Sequence, residues 1–226
     1  MKISAVIFDM DGVIFDTERL SRYVWKLAEK EFHFTCDEDF FKRLTGVNHK
    51  NVLKIYADYF GDAARGQMIY DWRRAHTDRI IETDGIALKP GLVEILDYLE
   101  EHHIPIALAT SSNASRVAFL FAHSPFQNPF KVMITGDMLQ HSKPHPEIFQ
   151  RAAAELGIPI QECMVIEDSP NGILAGYAAG AVTVMVPDQI VPAEEIIEKT
   201  FSTENSLFAV INLLERINNG GKDNLA

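Results

Sequence analysis

The chain has 226 residues, of which 47% are hydrophobic and 23% are charged, and its formal net charge at pH 7 is −11. This length suits one large domain or a domain with an insert, and the composition is that of a globular protein with a core of ordinary size. The acidic balance excludes an extended nucleic-acid-binding surface, which would be basic. The acidic net charge does not exclude phosphorylated small molecules as ligands, because a bound divalent cation and a few basic groups can make the electrostatic potential of a binding site positive.

The cysteines and histidines give no sign of a zinc site. Cys36 and Cys163 stand far apart in unrelated settings, so they form neither a zinc motif nor a disulfide framework. Cys163 opens an apolar run and is expected to be a small buried residue. Four histidines show no metal-ligand spacing and are expected at the surface or as helix caps: His102, His103, His141 and His145.

The N-terminal apolar run is too short for a signal peptide, and the sequence has no apolar stretch of about 18 residues that could span a membrane. We therefore expect no membrane partner and a cytoplasmic location. A monomer is the default expectation for the oligomeric state.

Five short apolar runs are expected to be buried parallel strands, because each is brief and does not alternate with polar residues. Helical spacing separates them, from Leu92 to Leu99 and again from Phe149 to Leu156, where Gly157 ends the pattern. This alternation predicts an α/β fold with a doubly wound, Rossmann-like parallel sheet. The predicted strands are Ile3–Phe8, Ile104–Ala109, Lys131–Ile134, Met164–Ile166 and Ala181–Val186, and Ser206–Ile217 is predicted as the last helix.

About 95 residues separate the first two predicted strands, far more than the dozen or so that a crossover needs. Residues 16–83 show several amphipathic helical patterns, and most of their aromatic side chains are expected to pack in a core. We predict a small all-helical cap domain at 16–83, inserted into an α/β core of residues 1–15 and 84–226. Such an insert would lie over the carboxyl ends of the strands, where open α/β sheets bind ligands. The first helix has an apolar stripe of Leu20, Tyr23, Val24, Leu27 and Ala28, and the linkers are expected near Phe15–Thr17 and Thr83–Lys89.

Two aspartates leave the first predicted strand together. Asp9 and Asp11 follow the apolar run, and Gly12 comes next. Two carboxylates are costly to crowd at the end of a buried strand unless a divalent cation neutralises them. Gly12 allows a sharp turn in which consecutive amides can point at an anion. A polar turn in which the aspartates only cap the backbone is the alternative, and this short motif alone does not decide between the two.

Polar clusters also follow three later strands. Thr110–Asn113 follows the second strand, Ser142–Pro144 comes shortly after the third, and Glu167–Pro170 follows the fourth. Parallel strands bring their carboxyl ends to one edge of the sheet, so these clusters are expected to converge with Asp9. Helix capping by Asn113 or by the serines of these clusters is compatible with that convergence.

Together the four clusters resemble the motifs of the haloacid dehalogenase superfamily, in the branch whose helical cap is inserted after the first strand. Each motif alone is weak, but the ordered set is specific and the resemblance extends over essentially the whole chain. The matching segments are Val6–Val13, Ala107–Thr110, Lys143-Pro144 and Glu167–Gly172.

The resemblance implies a magnesium-dependent phosphotransferase. Asp9 would attack phosphorus to form an aspartyl phosphate, and Asp11 would protonate the leaving group and later activate water. Thr110, the Ser111 amide and Lys143 would hold the transferring oxygens. The Mg²⁺ ligands would be Asp9, the Asp11 backbone carbonyl and Asp168, with Glu167 as a direct or indirect ligand, and the candidate phosphate- and substrate-binding residues are Gly12, Ser111, Ser112, Asn113, His49 and Lys50.

The second aspartate separates the activities that the superfamily implies. Its dehalogenases lack a second acid, because cleavage of a carbon–halogen bond needs no protonated leaving group, so Asp11 argues against dehalogenation. A non-catalytic phosphate-binding module on the same scaffold is expected to have lost Asp9 or Asp11, and this chain keeps both. We therefore expect a phosphatase of a small phosphorylated metabolite, with sugar phosphates as the first candidates.

The neighbouring sequence also looks like β-phosphoglucomutase-like proteins, in Asp11–Glu18 and Leu44–Lys50. In the mutases, the Leu-x-Gly-Val part of the second segment is followed by Ser-Arg, and this arginine grips the second phosphate. This chain has Asn48 and His49 at those two positions. The mutases also carry a histidine where this chain has Ser21. Losing an arginine's bidentate grip is not conservative, so a phosphatase is favoured. Because His49 and the lysine after it can still bind an anion, a hexose-phosphate mutase stays the alternative.

Overall fold

The protein is described by a computed structural model over residues 1–44, 47, 49–188 and 193–220, without the side chains of residues 38, 42, 49 and 50. Six strands form its central sheet: β1 (Ala5–Phe8), β2 (Ile106–Ala109), β3 (Val132–Ile134), β4 (Cys163–Glu167), β5 (Val182–Met185) and β6 (Ser202–Thr203). All pairings are parallel, in the order β3-β2-β1-β4-β5-β6. The chain runs from β1 outward to β3 and then returns to the other side of β1 at β4. The predicted doubly wound α/β fold is therefore confirmed.

Four helices lie between β1 and β2, where the sequence predicts the helical insert: α1 (Thr17–Phe32), α2 (Glu38–Leu44), α3 (His49–Phe60) and α4 (Ala63–Asp84). They share a hydrophobic cluster around Trp25, whose ring centroid lies 5.1 Å from that of Phe40 and 5.4 Å from that of Tyr56. Aromatic contacts at these distances stabilise a small core. The insert is thus helical and has a core of its own, and its status as a separate domain at 16–83 stays a prediction.

Helices cover both faces of the sheet: α5 (Leu92–Glu101), α6 (Ala114–Ala122), α7 (Glu147–Leu156), α8 (Pro170–Ala179), α9 (Glu194–Ile197) and α10 (Leu207–Asn219). Side chains alternate between the two faces along a strand. In β1, Val6 and Phe8 join the cluster formed with α5, α6 and α10, whereas Ala5 and Ile7 join the cluster formed with α7 and α8. Within the described residues, no helix is both long and apolar enough to span a membrane.

The two segments that join the insert to the sheet run side by side. The amide of Asp16 donates to the carbonyl of Ala87 over 2.9 Å, and the amide of Lys89 donates to the carbonyl of Ile14 over 2.8 Å. Both hydrogen bonds fall in or beside the predicted linkers. The insert is therefore attached to the sheet at one place, next to the turn that follows β1.

Two details differ from the sequence expectations. Tyr23 is 55% exposed, because the buried face of α1 is turned toward Val24, Trp25 and Ala28; its assignment to the apolar stripe is wrong. The strand β6 is not predicted by the sequence, since two residues show no periodicity.

Candidate active site

Three neighbouring strands deliver predicted site residues to one edge of the sheet. β1 pairs with β2 on one side and with β4 on the other. Asp9 follows β1, Thr110 follows β2 and Asp168 follows β4. These three side chains are buried, at 7%, 1% and 8% exposure respectively. The convergence expected from the parallel arrangement is therefore present.

The ammonium group of Lys143 reaches the same edge from the segment before α7. Its Nζ lies 2.5 Å from Asp9 Oδ1 and 2.6 Å from Glu167 Oε1, and it donates to the carbonyl of Ala109 over 3.2 Å. The ring centroid of Phe149 lies 4.9 Å from Nζ. A buried ammonium group is stable only when such partners replace its water. Lys143 thus lies within the site and is not a solvated surface lysine.

Glu167, at the end of β4, fixes the turn that follows. Its Oε2 accepts hydrogen bonds of 3.0 Å from the amides of Asp168 and Ser169 and from the Ser169 hydroxyl. The Ser169 hydroxyl accepts from the amide of Gly172 over 3.1 Å and caps α8, as predicted. A Cβ at Gly172 would lie 1.7 Å from Glu167 Oε1. Glu167 therefore supports both Lys143 and the turn that carries Asp168.

Gly12 shapes the turn after Asp11 for two independent reasons. Its φ of 80° lies in the left-handed region that favours glycine. A Cβ at this position would also lie 2.2 Å from Asp168 Oδ2. The turn after β1 and the turn after β4 can therefore approach each other only because residue 12 has no side chain.

The buried cluster contains three carboxyl groups but one ammonium group. Carboxylate oxygens of Asp9, Glu167 and Asp168 lie within 4.8 Å of one another. Burial raises the pKa of Asp9 to about 8, although the charge of Lys143 opposes the shift. Burial, and then the charge of Glu167, raise the pKa of Asp168 well above its ordinary value. Burial acts to lower the pKa of Lys143, but the two adjacent carboxylates outweigh it and raise the pKa. Buried carboxylate oxygens whose ionised form is destabilised are suited to a hard divalent cation such as Mg²⁺.

The loop after β2 holds Asp11. The Ser112 hydroxyl donates to Asp11 Oδ2 over 3.0 Å, and the Ser112 amide donates to the Thr110 hydroxyl over 3.0 Å. Gly136 lets another loop pack closely against this one, since a Cβ there would lie 2.2 Å from the Ser111 carbonyl oxygen. Asp11 is only partly buried. Its carboxyl group is therefore both positioned and accessible.

Three more residues are predicted to bind the substrate: Asn113, His49 and Lys50. The Asn113 side-chain oxygen accepts from the Arg116 amide over 2.9 Å and from the Ser115 hydroxyl over 2.8 Å, so it caps α6. This capping role was also expected. His49 and Lys50 begin α3, but their side chains lie outside the described residues. Their assignment as substrate-binding residues stays a prediction.

The insert contributes an arginine that no sequence motif indicates. The guanidinium carbon of Arg73, in α4, lies 3.6 Å from the ring centroid of Trp25. The group donates to the Tyr56 hydroxyl and, over 3.0 Å, to the Ser21 hydroxyl. Its Nε is buried without a hydrogen-bond partner in the part of the chain that the structure describes. A single arginine in a helix has no sequence signature of function, so only the fold identifies it.

Arg73 lines two adjoining spaces. One is a cavity of about 170 Å³ within the insert, which Glu18 also lines. The other is a cleft of about 570 Å³ that extends to Ser111 and Ser112 at the sheet edge. Burial, and then the charge of Asp11, raise the pKa of Glu18 to about 7. Arg73 therefore borders both the interior of the insert and the cleft that reaches the carboxyl ends of the strands.

Comparison with known proteins agrees with this arrangement. Residues 6–186 match the family model for haloacid dehalogenase-like hydrolases. The chain is 30% identical over 193 residues to the probable pseudouridine-5'-phosphatase of Drosophila melanogaster, and the aligned region covers 83% of each protein. It is 31% identical over 191 residues to the β-phosphoglucomutase of Bacillus subtilis (strain 168), and the aligned region covers 81% of this chain and 83% of that protein.

The fold also matches solved structures. The β-phosphoglucomutase of Clostridium difficile superposes with a TM-score of 0.77 at 22% identity, over 97% of this chain and 98% of that chain. At this identity the likeness concerns the fold alone. The family match and the two relatives lead to one conclusion: the chain belongs to the haloacid dehalogenase-like hydrolases and is an enzyme of the branch that includes phosphatases and β-phosphoglucomutases.

Proposed function

We propose that this hydrolase is a Mg²⁺-dependent phosphatase that cleaves a small sugar phosphate through an aspartyl phosphate on Asp9. The observation that carries the proposal is the buried contact of Lys143 with both Asp9 and Glu167. A carboxylate nucleophile beside a buried cation, followed two residues later by a second acid, suits attack on a phosphate ester. Asp11 would have no task in the cleavage of a carbon–halogen bond.

The carboxylate cluster fits a Mg²⁺ ion. Its donors are all oxygens, and the raised pKa values of Asp9 and Asp168 mean that the ionised cluster is destabilised without a cation. We assign Asp9, Asp168 and the Asp11 backbone carbonyl as ligands. Glu167 supports them indirectly, because its oxygens already hold Lys143 and the following turn. When bound, the ion supplies positive charge that offsets the repulsion between Asp9 and a phosphate group.

Side chains of the protein carry out the nucleophilic attack, the proton transfers and the stabilisation of the phosphoryl oxygens. Asp9 attacks phosphorus in line, and the bond from phosphorus to the leaving oxygen breaks as the new bond forms. Asp11, held by Ser112, gives its proton to the leaving alkoxide and later takes one from the water that hydrolyses the intermediate. Lys143, the Thr110 hydroxyl and the Ser111 amide hold the phosphoryl oxygens as charge develops on them.

We further propose that residues 16–83 act as a cap that reads the leaving group, above a core formed by residues 1–15 and 84–226. The paired linkers are a suitable hinge. An ion pair between Asp78 of α4 and Arg116 of α6 joins the insert to the core beside the cleft. Closure over the cleft would exclude bulk water from the reacting phosphate.

A hexose-phosphate mutase is the second candidate, and the mutase relative favours it. A mutase must hold a bisphosphate at both ends, and this chain lacks the arginine and the histidine that mutases carry for it, with Asn48-His49 and Ser21 at those positions. Ser21, at the position where mutases carry a histidine, accepts a hydrogen bond from Arg73 in this protein. The position is therefore used to anchor an arginine within the insert, and we favour the phosphatase.

The proposal is tested by a phosphate-release screen over a panel of sugar phosphates, nucleotides and glycerol phosphates with Mg²⁺, run beside Asp9→Asn. We expect release by the wild type for at least one sugar phosphate and none by Asp9→Asn. Release in neither protein would refute the phosphatase. Efficient conversion of β-glucose 1-phosphate to glucose 6-phosphate with negligible hydrolysis would instead establish the mutase.

A further inference from the structure

The segment before α7 carries a second group of potential metal ligands on its outer side. His141, His145 and Glu147 surround Lys143 in sequence, and both histidines are exposed. A ring nitrogen of each histidine and a carboxylate oxygen of Glu147 lie within 4.8 Å of one another. The expected surface location of His141 and His145 is confirmed, and the fold brings the two side chains together in a way that their spacing in the sequence does not indicate.

Backbone amides hold the carboxylate of this group in place. Glu147 Oε1 accepts from the amide of Gln140 over 3.0 Å, and Oε2 accepts from the amide of His141 over 2.8 Å. The hydrogen bond from the Gln140 amide is the main reason why the pKa of Glu147 is lowered. The carboxylate is thus charged at neutral pH and fixed before any ligand arrives.

The two imidazole rings are also oriented. His141 Nδ1 lies 3.1 Å from Glu147 Oε2. In a neutral ring that carries its proton on Nε2, the lone pair of Nδ1 faces this oxygen, so the two atoms are placed to bind one ion. The His145 ring lies alongside, with ring centroids 4.4 Å apart and Nδ1 3.3 Å from the Glu147 amide.

We propose that His141, His145 and Glu147 bind a divalent transition-metal ion of the zinc type on the outer face of the segment that carries Lys143. Imidazole nitrogens favour Zn²⁺, Ni²⁺ and Cu²⁺ over Mg²⁺, so this site differs in kind from the all-oxygen cluster at Asp9. Tetrahedral ligands of Zn²⁺ are about 3.3 Å apart, close to the 3.1 Å between His141 Nδ1 and Glu147 Oε2. Three protein ligands leave room for water.

The position of the site gives it a structural consequence. An ion held by His141 and His145 closes a short loop around Lys143, whose ammonium group contacts Asp9 and Glu167. An ion that binds the folded arrangement more tightly than the unfolded chain stabilises the folded state by linkage. It also restrains the backbone of residues 140–147, which amide hydrogen exchange can report.

The experiment is a Zn²⁺ titration by calorimetry of the full chain in an Asp9→Asn/Asp168→Asn background, which disables the other carboxylate cluster. We expect one equivalent of Zn²⁺ to bind and to slow amide exchange in residues 140–147. His141→Ala and His145→Ala should each weaken binding at least tenfold. His102→Ala, which removes another exposed histidine outside the group, should leave it unchanged.

A fold check by circular dichroism accompanies each variant. If either alanine variant unfolds, Glu147→Gln takes its place, because an amide keeps one acceptor for the backbone and loses the charge. Absence of Zn²⁺ binding in the double-variant background overturns the proposal. Binding that persists at full strength in folded His141→Ala and His145→Ala, or protection that appears elsewhere than 140–147, overturns it as well.

Discussion

Lys143 Nζ lies 2.5 Å from Asp9 Oδ1, and both side chains are buried although 134 residues separate them in sequence. The same ammonium group contacts Glu167. It is therefore the positive charge that allows two carboxylates to share a buried site next to a third, Asp168. Stability and chemistry of the site depend on the same atom.

Removal of that charge should affect both properties. We expect Lys143→Met to lower kcat by about 10²–10³-fold, as the loss of one preorganised charge-stabilising group does. The free energy of unfolding should fall by about 3–5 kcal/mol, the usual cost of removing one partner of a buried ion pair and leaving the other charge unpaired. Lys131→Met, at an exposed lysine, serves as the control. Unchanged turnover in Lys143→Met would remove this residue from the mechanism.

Without a divalent cation, stability should depend on pH in a direction set by Asp9. Burial raises the pKa of Asp9 from 3.8 to about 8, so the folded state binds this proton more tightly than the unfolded chain does. The contribution of Asp9 to stability is complete below the unfolded pKa and is lost as the pH rises through about 8. Asp168 and Glu18, whose pKa values are also raised, act in the same direction.

This dependence is measured by thermal unfolding at about pH 5 and about pH 9, with EDTA and with Mg²⁺. We expect Mg²⁺ to raise the melting temperature strongly at the higher pH and little at the lower one. At a hundredfold excess over its Kd the ion contributes about 2.7 kcal/mol, or about 5–10 °C for a chain of this size. Equal stabilisation at both pH values would contradict the assignment of the ion to buried carboxylates.

Two glycines with similar backbone conformations provide a matched comparison. Gly12 has a φ of 80° and Gly157 a φ of 70°, but only a Cβ at Gly12 would meet other atoms, 2.2 Å from Asp168 Oδ2. Gly157→Ala should therefore cost about 1–2 kcal/mol for the left-handed conformation alone. Gly12→Ala should cost more and should also weaken Mg²⁺ binding, which calorimetry measures. Equal losses in the two variants would show that the close approach of Asp168 has no effect.

Arg73 should determine how well the substrate binds. Its Nε is buried without a partner among the described residues, and the side chain lines both the cavity in the insert and the cleft. We expect Arg73→Met to raise KM for the best substrate about tenfold with a smaller change in kcat, the signature of lost uniform binding. Arg79→Met removes an exposed charge from the same helix that lines neither space, and it should change KM little. A Michaelis–Menten comparison in which both variants behave alike would contradict the role of Arg73.

Much of the sheet edge could be predicted from the sequence because it is encoded locally. Each strand is a short apolar run, and Asp9, Thr110 and Asp168 each stand directly after one. The rule that parallel strands end at one edge then brings them together. The sequence also predicts a turn at Gly12, but the close approach of Gly12 to Asp168 joins distant segments and has no local signal.

The insert shows where such inference stops. Arg73, Ser21 and Trp25 meet only because α1 and α4 pack against each other, and helical periodicity does not specify how two helices are rotated about their axes. For the same reason, helical periodicity places Tyr23 in the apolar stripe of α1, although its side chain is exposed. The approach of His141 to His145 depends on the course of an irregular segment, which sequence spacing does not describe.

The most direct test of the account is to identify the covalent intermediate. The wild-type protein, turning over its best sugar phosphate with Mg²⁺, is quenched in acid and digested, and the peptides are analysed by mass spectrometry. The account predicts one added phosphoryl group on the peptide that contains Asp9, located on that residue by fragmentation and absent from Asp9→Asn. A phosphoryl group on any other residue, or active turnover by Asp9→Asn, would contradict it.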